Sequence, residues 1–386
     1  MKVIGYVLAD FPALSETFVG NEMRAMADRG HRVVPLIMHR LTGPAQPEDV
    51  RLADQATTLG MARVSHAIAA ALRPAVSAPR ALTFVARQKR LGRLSLLLNG
   101  LKIAAVARRE GCTHLHAHFA GGAAAHAIVA ARWIGATVSF IGHGHDIYSE
   151  PEDLAAKLAS VDFVIGTCAD MVGDFESIVP QAKAYRIPCG TDPDRFQAVN
   201  ANEDNGRFLL IGRLVEQKGI DDLLRALALL PESVTVDIVG DGPLRYDLLK
   251  TAAELRLRPG QVNWLGARPQ SWIAAEGGKY LALVAPFKMA PNGERDTGPV
   301  AIKEAMAMGL PVIGTRFMGI KEMISSETGL LVEAGDVAGL AEAMQKIVSL
   351  APQERRAMGA AGRHRVEARF TLQSQAQHLS AIVEAA

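Results

Sequence analysis

Short apolar runs alternate with stretches of helical period along almost the whole chain. In the first half the runs are KVIGYVL (2–8), RVVPLIM (32–38), THLHAHF (113–119), TVSFIGH (137–143), DFVIGTC (162–168) and KAYRIPC (183–189). In the second half they are RFLLIGRL (207–214), VTVDIVGDG (234–242), QVNWLGA (261–267), LALVAPF (281–287), LPVIGT (310–315) and GLLVE (329–333). Strands alternating with helices in this way predict parallel α/β architecture, here two sheets of about six strands each. Between the halves, GTDPDRFQAVNANEDNGR is rich in Asn and Asp and lacks apolar periodicity, which marks a linker. The expected division is a first domain over 1–190, a linker over 191–206, a second domain over 207–365 and a terminal helix over 366–386 that returns toward the first domain. The chain carries neither a short-period repeat nor a low-complexity tract.

A length of 386 residues exceeds a single core, and 49% apolar content is ample for two. Cys112, Cys168 and Cys189 are odd in number and far apart, which fits a reducing compartment such as the cytoplasm better than a disulfide framework. The opening MKVIGYVLADFPALSE has an apolar run too short for a signal peptide and reads as a first strand ended by Asp10. Residues 120–142 are apolar enough to suggest a membrane span, but Arg132 and the break at Gly135 favour a buried helix followed by a strand.

Charge changes the picture locally. Net charge is only +2, yet no carboxylate lies between Asp54 and Glu110, where ten Arg and Lys residues fall. The rest of the chain is therefore acidic, at −8. Within 80–109 the basic residues are interleaved with Leu, Phe and Val at helical spacing. That pattern fits an anionic membrane surface, and it equally fits a pair of solvated basic helices. With few aromatic residues beside it, the run does not read as a nucleic-acid site.

Candidate chemistry concentrates in four stretches. In DTGPVAIKEAMAMG (296–309), Pro299 suits a first helical position and Gly309 followed by Pro311 a stop. Asp296 then precedes the helix, Glu304 lies in its second turn, and N–H groups from Gly298 to Ala301 form an anion site. LLIGRLVEQKG (209–219) ends a strand and presents Arg213 and Lys218, a pair able to clamp a diphosphate. DIVGDGPLRYDLL (237–249) is a strand, a turn at Gly240 and a helix. Arg245 occupies the third-glycine place of a dinucleotide fingerprint, so that match is weak. Finally, His114, His116 and His118 alternate along one strand, and His143, His145 and Asp146 follow in SFIGHGHDIY, which is ligand material for a metal-dependent hydrolase.

Taken in order, GHRVVPLI, HAHFA, SFIGHGHDIY, GRLVEQKG, VGDGPL, DTGPVAIKEAMAMGLPVIGT and GLLVEAGDVAGLAEAM resemble the retaining nucleotide-sugar glycosyltransferases of family 4. The resemblance implies the GT-B fold, two Rossmann-like domains facing across a cleft, and extends over most of the chain. FPALSETFVGNEM is similar to the branch that builds bacterial exopolysaccharides and lipid-linked surface glycans. Carried over by position, Arg213 and Lys218 hold the donor diphosphate, and Gly298, Pro299 and Val300 meet sugar and phosphate. Glu304 accepts from the ribose hydroxyls, His143 approaches the donor sugar, and Gly240 lets backbone near the ligand. Asp296 takes the first acidic place of the family's E-x7-E motif, where a side chain one methylene shorter reaches about 1.5 Å less far. Ser15, Glu16, Thr17 and Asp146 are the expected acceptor contacts. The family implies no resident cofactor or metal, a UDP-sugar donor, and a saccharide or glycolipid acceptor at the inner membrane face. A metal-dependent hydrolase and a non-catalytic sugar-nucleotide binding protein are the competing classes.

Overall fold

The computed structural model describes residues 1–13, 16–59, 64–71, 76–197 and 205–386. It divides into two compact units, Met1–Cys189 with Leu372–Ala386, and Gly190–Thr371. Seven parallel strands form the sheet of the first unit: β1 Val3–Phe11, β2 Arg32–Arg40, β3 Thr57–Thr58, β4 His114–His118, β5 Thr137–Ile141, β6 Phe163–Gly166 and β7 Ala184–Arg186. Their spatial order is β3-β2-β1-β4-β5-β6-β7. The second unit has β8 Arg207–Ile211, β9 Thr235–Val239, β10 Val262–Gly266, β11 Ala282–Ala285, β12 Val312–Thr315 and β13 Gly329–Val332 in the order β10-β9-β8-β11-β12-β13. Both sheets reverse direction of winding once, between β1 and β4 and between β8 and β11. Loops leaving adjacent strands on opposite sides of such a reversal open a crevice at the carboxyl ends.

Strand periodicity explains the two cores of the second unit. Successive side chains point to opposite faces, so Phe208 and Leu210 join Val236, Ile238, Ala282 and Val284 on one side. Leu209, Val239, Leu283 and Ala285 meet Ile302, Met306 and Phe370 on the other. Each fully buried side chain of this size contributes about 1.5–3 kcal/mol. In the first unit one sheet face buries Ile4, Tyr6, Leu8, Ile141 and Phe163 with Val19, Met23, Leu379 and Val383.

The suspect apolar stretch is a helix, Gly122–Ile134, closed by Gly135 at φ +78° and followed by β5. A left-handed closing residue is glycine's usual place. Among the described residues no helix is long and apolar enough to cross a membrane. All three cysteines are buried, and none is in a disulfide.

Two boundaries differ from those read in sequence. The stretch expected as a linker belongs to the second unit: Thr191 N–H donates to Phe370 O at 2.8 Å, Arg363 reaches Phe196 O at 2.9 Å, and Phe196 is in the core. Residues 198–204 of that stretch lie outside the described residues. The terminal helix begins at Leu372, because the preceding helix, Pro352–Arg369, runs on past 366. Ala376, Leu379 and Val383 pack it into the first unit.

Candidate functional site

In the second unit, the loops that follow β8, β9 and β11 carry the expected donor residues. Gly240 leaves β9 at φ +144°, and a Cβ there would lie 1.9 Å from Gly212 O, so only glycine lets the β8 and β9 loops approach this closely. Gly219, at φ +61°, plays the same part between the β8 loop and Pro286 O, with a would-be contact of 1.9 Å. These two approaches fix the path of the segment carrying Arg213 and Lys218. Arg213 is exposed and makes no ion pair among the described residues. Lys218 is held: Nζ lies 2.6 Å from Asp296 Oδ2 and 4.0 Å from the centre of the Phe287 ring.

The helix expected to begin at Pro299 spans Val300–Ala307, with Pro299 as its cap at ψ +121°, an extended value outside the helical region. Pro299 therefore lies one position before the helix. Nor is the Gly298 N–H available to an anion, since it donates to Asp296 Oδ1 at 3.2 Å. The orphan N–H groups of the first turn begin at Val300.

Glu304 is only 6% exposed. Gln270 Nε2 donates to its Oε1 at 2.7 Å, and Arg195 Nη1 donates to Gln270 Oε1 at 2.7 Å. Burial raises the Glu304 carboxyl above its ordinary value, against the hydrogen bond from Gln270 and the charges of Lys303 and Arg195. Gln270, Arg195 and the fully buried Lys303, whose Nζ lies 3.3 Å from Gly298 O, went unmarked in the sequence. None carries a motif, and the one local signal was Lys303 beside Glu304.

The first unit gathers a different set. His143, after β5, is flanked by the rings of Phe18 and Phe119, with centres 4.4 and 4.6 Å away. His143 Nε2 lies 3.1 Å from His118 Nδ1, and the two imidazoles are 9° from parallel. Phe119 adopts φ +69°, a left-handed conformation costly for an aromatic residue. Glu16 caps the helix Thr17–Asp28 and is half-buried. Burial raises its carboxyl, while the charge of His118 acts the other way. Thr17 is the first helical residue, and Ser15 lies outside the described residues.

Asp146 is committed to its own loop. Oδ2 accepts from Ala120 N–H at 2.6 Å, and Oδ1 from the N–H groups of His143 and Gly144, both at 3.0 Å. Burial raises its carboxyl despite these bonds. With three backbone donors met, Asp146 shapes the His143 loop.

The six-residue metal set is not assembled. His114 is tied through Nδ1 to Thr137 Oγ1 and through Nε2 to Ser139 Oγ, both at 2.8 Å, while His145 is exposed and 3.7 Å from Glu150. A different trio converges, Glu22, His116 and His118, with their polar atoms within 4.8 Å of one another. Its spacing would admit an ion, but the carboxylate is already met by protons: Tyr6 Oη and His118 Nε2 at 3.2 Å on Oε1, Gln375 Nε2 at 2.7 Å on Oε2. His116 Nε2 lies 3.3 Å from Oε1 but off the line of a hydrogen bond. Glu22 and Gln375 went unnoticed in the sequence, where an acid in an amphipathic helix looks like a surface residue.

Two parallel-sheet α/β domains form the fold of the GT-B glycosyltransferases, and residues 205–349 match the family model described as Glycosyl transferases group 1. The matched stretch is a glycosyl transferases group 1 domain within a chain of GT-B fold. The chain is 26% identical to the putative colanic acid biosynthesis glycosyltransferase WcaL of Escherichia coli, with all of both chains covered. It is 37% identical to the lipopolysaccharide core biosynthesis glycosyltransferase LpsE of Rhizobium meliloti over 36% of this chain and 38% of that one. Among solved structures, Anabaena HepE in complex with UDP superposes with a TM-score of 0.75 at 17% identity, both chains fully covered. The apo lipopolysaccharide outer core galactosyltransferase WaaB gives 0.72 at 14%, also with both chains fully covered. At these identities the structural likeness speaks for the fold.

Proposed function

We propose that the protein is a retaining glycosyltransferase of family 4 that moves a hexosyl group from a UDP-sugar to a hydroxyl of a lipid-linked saccharide or glycolipid, in bacterial surface glycan synthesis. The observation that carries the reading is that the loops following β8, β9 and β11 carry Arg213, Lys218, two glycine-mediated backbone approaches and the start of the helix Val300–Ala307. That combination suits a sugar diphosphate. The names of the relatives in colanic acid and lipopolysaccharide synthesis support the acceptor class, and the UDP held by HepE supports the nucleotide.

In this reading Arg213, Lys218 and the N–H groups from Val300 stabilise the charge that grows on the departing diphosphate. Glu304, held by Gln270, accepts from the ribose hydroxyls. Asp296 accepts from a hydroxyl of the sugar, which releases Lys218 from its ion pair toward the phosphate. His143 presents the first unit's hydrogen bond to the sugar, and Glu16 serves the acceptor. The leaving phosphate takes the acceptor's proton as it attacks on the same face, so no side chain is assigned as a nucleophile and the chain's own cations meet the charge.

The protein is further proposed to work in the cytoplasm, docked on the inner membrane face through part of its basic run. Arg80, Arg87, Lys89, Arg90 and Arg93 are exposed, as are Leu82 and Leu94. Asp153 pins the intervening loop by accepting from the N–H groups of Lys89 and Arg90 at 2.8 and 3.0 Å. The expected surface shrinks at its far end: Leu96, Leu101, Ile103 and Val106 are buried, Arg108 reaches Trp133 O and Arg109 pairs with Glu110.

The test is a screen of nucleotide sugars for thermal stabilisation and for turnover with and without saccharide acceptors. Arg213→Ala is expected to weaken UDP binding about tenfold to a hundredfold, since one charge-assisted hydrogen bond is worth about 1.5–3 kcal/mol, with its melting temperature unchanged because Arg213 is exposed. Binding without turnover on any acceptor would leave a sugar-nucleotide binding protein.

A further inference from the structure

Strand period puts His116 and His118 on the same face of β4, where Glu22 of the helix Thr17–Asp28 meets them. All three side chains are 1% exposed, and one polar atom from each lies within 4.8 Å of the others. Their shared corner is Glu22 Oε1, 3.3 Å from His116 Nε2 and 3.2 Å from His118 Nε2. Neither separation is that of a tight imidazolium–carboxylate bond, which is about 2.7–2.9 Å. Both match the edge of a tetrahedron whose centre holds zinc at about 2.0–2.2 Å from each ligand, since that edge is about 3.3 Å. His116 Nε2 is a separate sign. It is buried without a hydrogen-bond partner, which is uncommon for an interior polar atom and leaves it open to a proton donor or a cation.

We propose that Glu22, His116 and His118 form a structural zinc site that staples the helix Thr17–Asp28 to β4. Zinc takes the place of the proton between His118 Nε2 and Glu22 Oε1. The other partners of the trio remain as an outer ring: Ser139 Oγ on His116 Nδ1 at 2.7 Å, His143 Nε2 on His118 Nδ1 at 3.1 Å, and Gln375 Nε2 on Glu22 Oε2 at 2.7 Å. Tyr6 Oη keeps its 3.2 Å bond to Oε1, because a carboxylate oxygen has a second lone pair for the metal. Metal-ligating histidines nearly always have such a partner on the other ring nitrogen. Two imidazoles and a carboxylate are a zinc donor set. With all three ligands buried, the ion is out of a substrate's reach and its part is to hold the fold. The assignment rests on nothing in the second unit.

Metal analysis of the purified protein should find about one zinc per chain. Removing it with a chelator should lower Tm, and zinc alone, added back, should raise Tm with each tenfold increase in its concentration, as a ligand of the folded state does. His116→Asn keeps an amide for Ser139 Oγ but loses Nε2. Its zinc affinity should fall roughly a hundredfold or more, while its Tm matches that of the chelated wild type. Cobalt in place of zinc reads the geometry, since a tetrahedral ion gives intense visible bands in the wild type that His116→Asn lacks. A wild-type protein without zinc whose Tm ignores added zinc overturns the site, and so does zinc held equally well by His116→Asn. Loss of the ion from a variant of the exposed histidine, His145→Ala, would mean an adventitious ion only and overturn it too. Should His116→Asn fail to fold, the cobalt spectrum and Tm response of the wild type decide alone.

Discussion

Lys218 and Asp296, 78 positions apart, form an ion pair of 2.6 Å in the second unit, with side chains 15% and 24% exposed. Two residues assigned to different parts of a donor thus neutralise one another. The pairing holds Lys218 in one orientation against Phe287 and keeps Asp296 in its turn with the Gly298 N–H. A sugar diphosphate would replace both partners at once, a hydroxyl for the lysine and a phosphate for the acid.

Lys218→Met should therefore lower transfer by about 100- to 1000-fold, the usual loss when one preorganised charge-stabilising group is removed. Asp296→Glu is the more discriminating change. It installs the longer acid of the E-x7-E motif that this stretch resembles, at a site where reach differs by about 1.5 Å. UDP binding should hold within threefold while relative kcat/KM values among UDP-sugars change by tenfold or more. An unaltered order of sugar preference would show that position 296 does not read the sugar.

Glu304 gives a pH signature. Its carboxyl is raised by burial above its ordinary value. Between that value and the raised one, the folded chain binds more proton than the unfolded chain, so this group makes stability fall as pH rises through the window and level off above it. Glu304→Gln removes the slope. Denaturant titrations from pH 4 upward should show the variant gaining on the wild type through the window and holding a constant advantage above it. Because the amide cannot accept from two ribose hydroxyls as a carboxylate does, its donor KM should rise at least tenfold. Parallel stability curves for the two proteins would contradict the burial argument.

The exposed cations at 87–93 predict salt-sensitive adhesion. Each Lys or Arg near an anionic surface is worth about 1 kcal/mol. Reversing Arg87, Lys89, Arg90 and Arg93 to Glu should abolish sedimentation with phosphatidylserine vesicles at low ionic strength and leave turnover on a water-soluble acceptor intact. Wild-type protein that stays in the supernatant at low salt disposes of the docking surface.

Much of this protein was legible from its chain. Each of the twelve apolar runs contains a strand, because a run of buried residues ended by a glycine or polar turn is a local property that no distant contact has to supply. Among the described residues only the two-residue edge strand Thr57–Thr58 went unread, being too short for any period. The place of Gly240, and the strand-to-loop transitions that carry Arg213 and His143, are equally local. Tertiary structure alone decided the partners. Glu22 meets Gln375 across 353 positions, Glu304 meets Gln270 across 34, and Asp146 spends its oxygens on three backbone N–H groups. Sequence period fixes which face of an element a side chain takes, but the sheet order β3-β2-β1-β4 brings that face beside residues far away in the chain. Whether a buried carboxyl holds a ligand, a lysine or its own backbone depends on which donors the packing leaves within 3 Å, and no spacing along the chain records that.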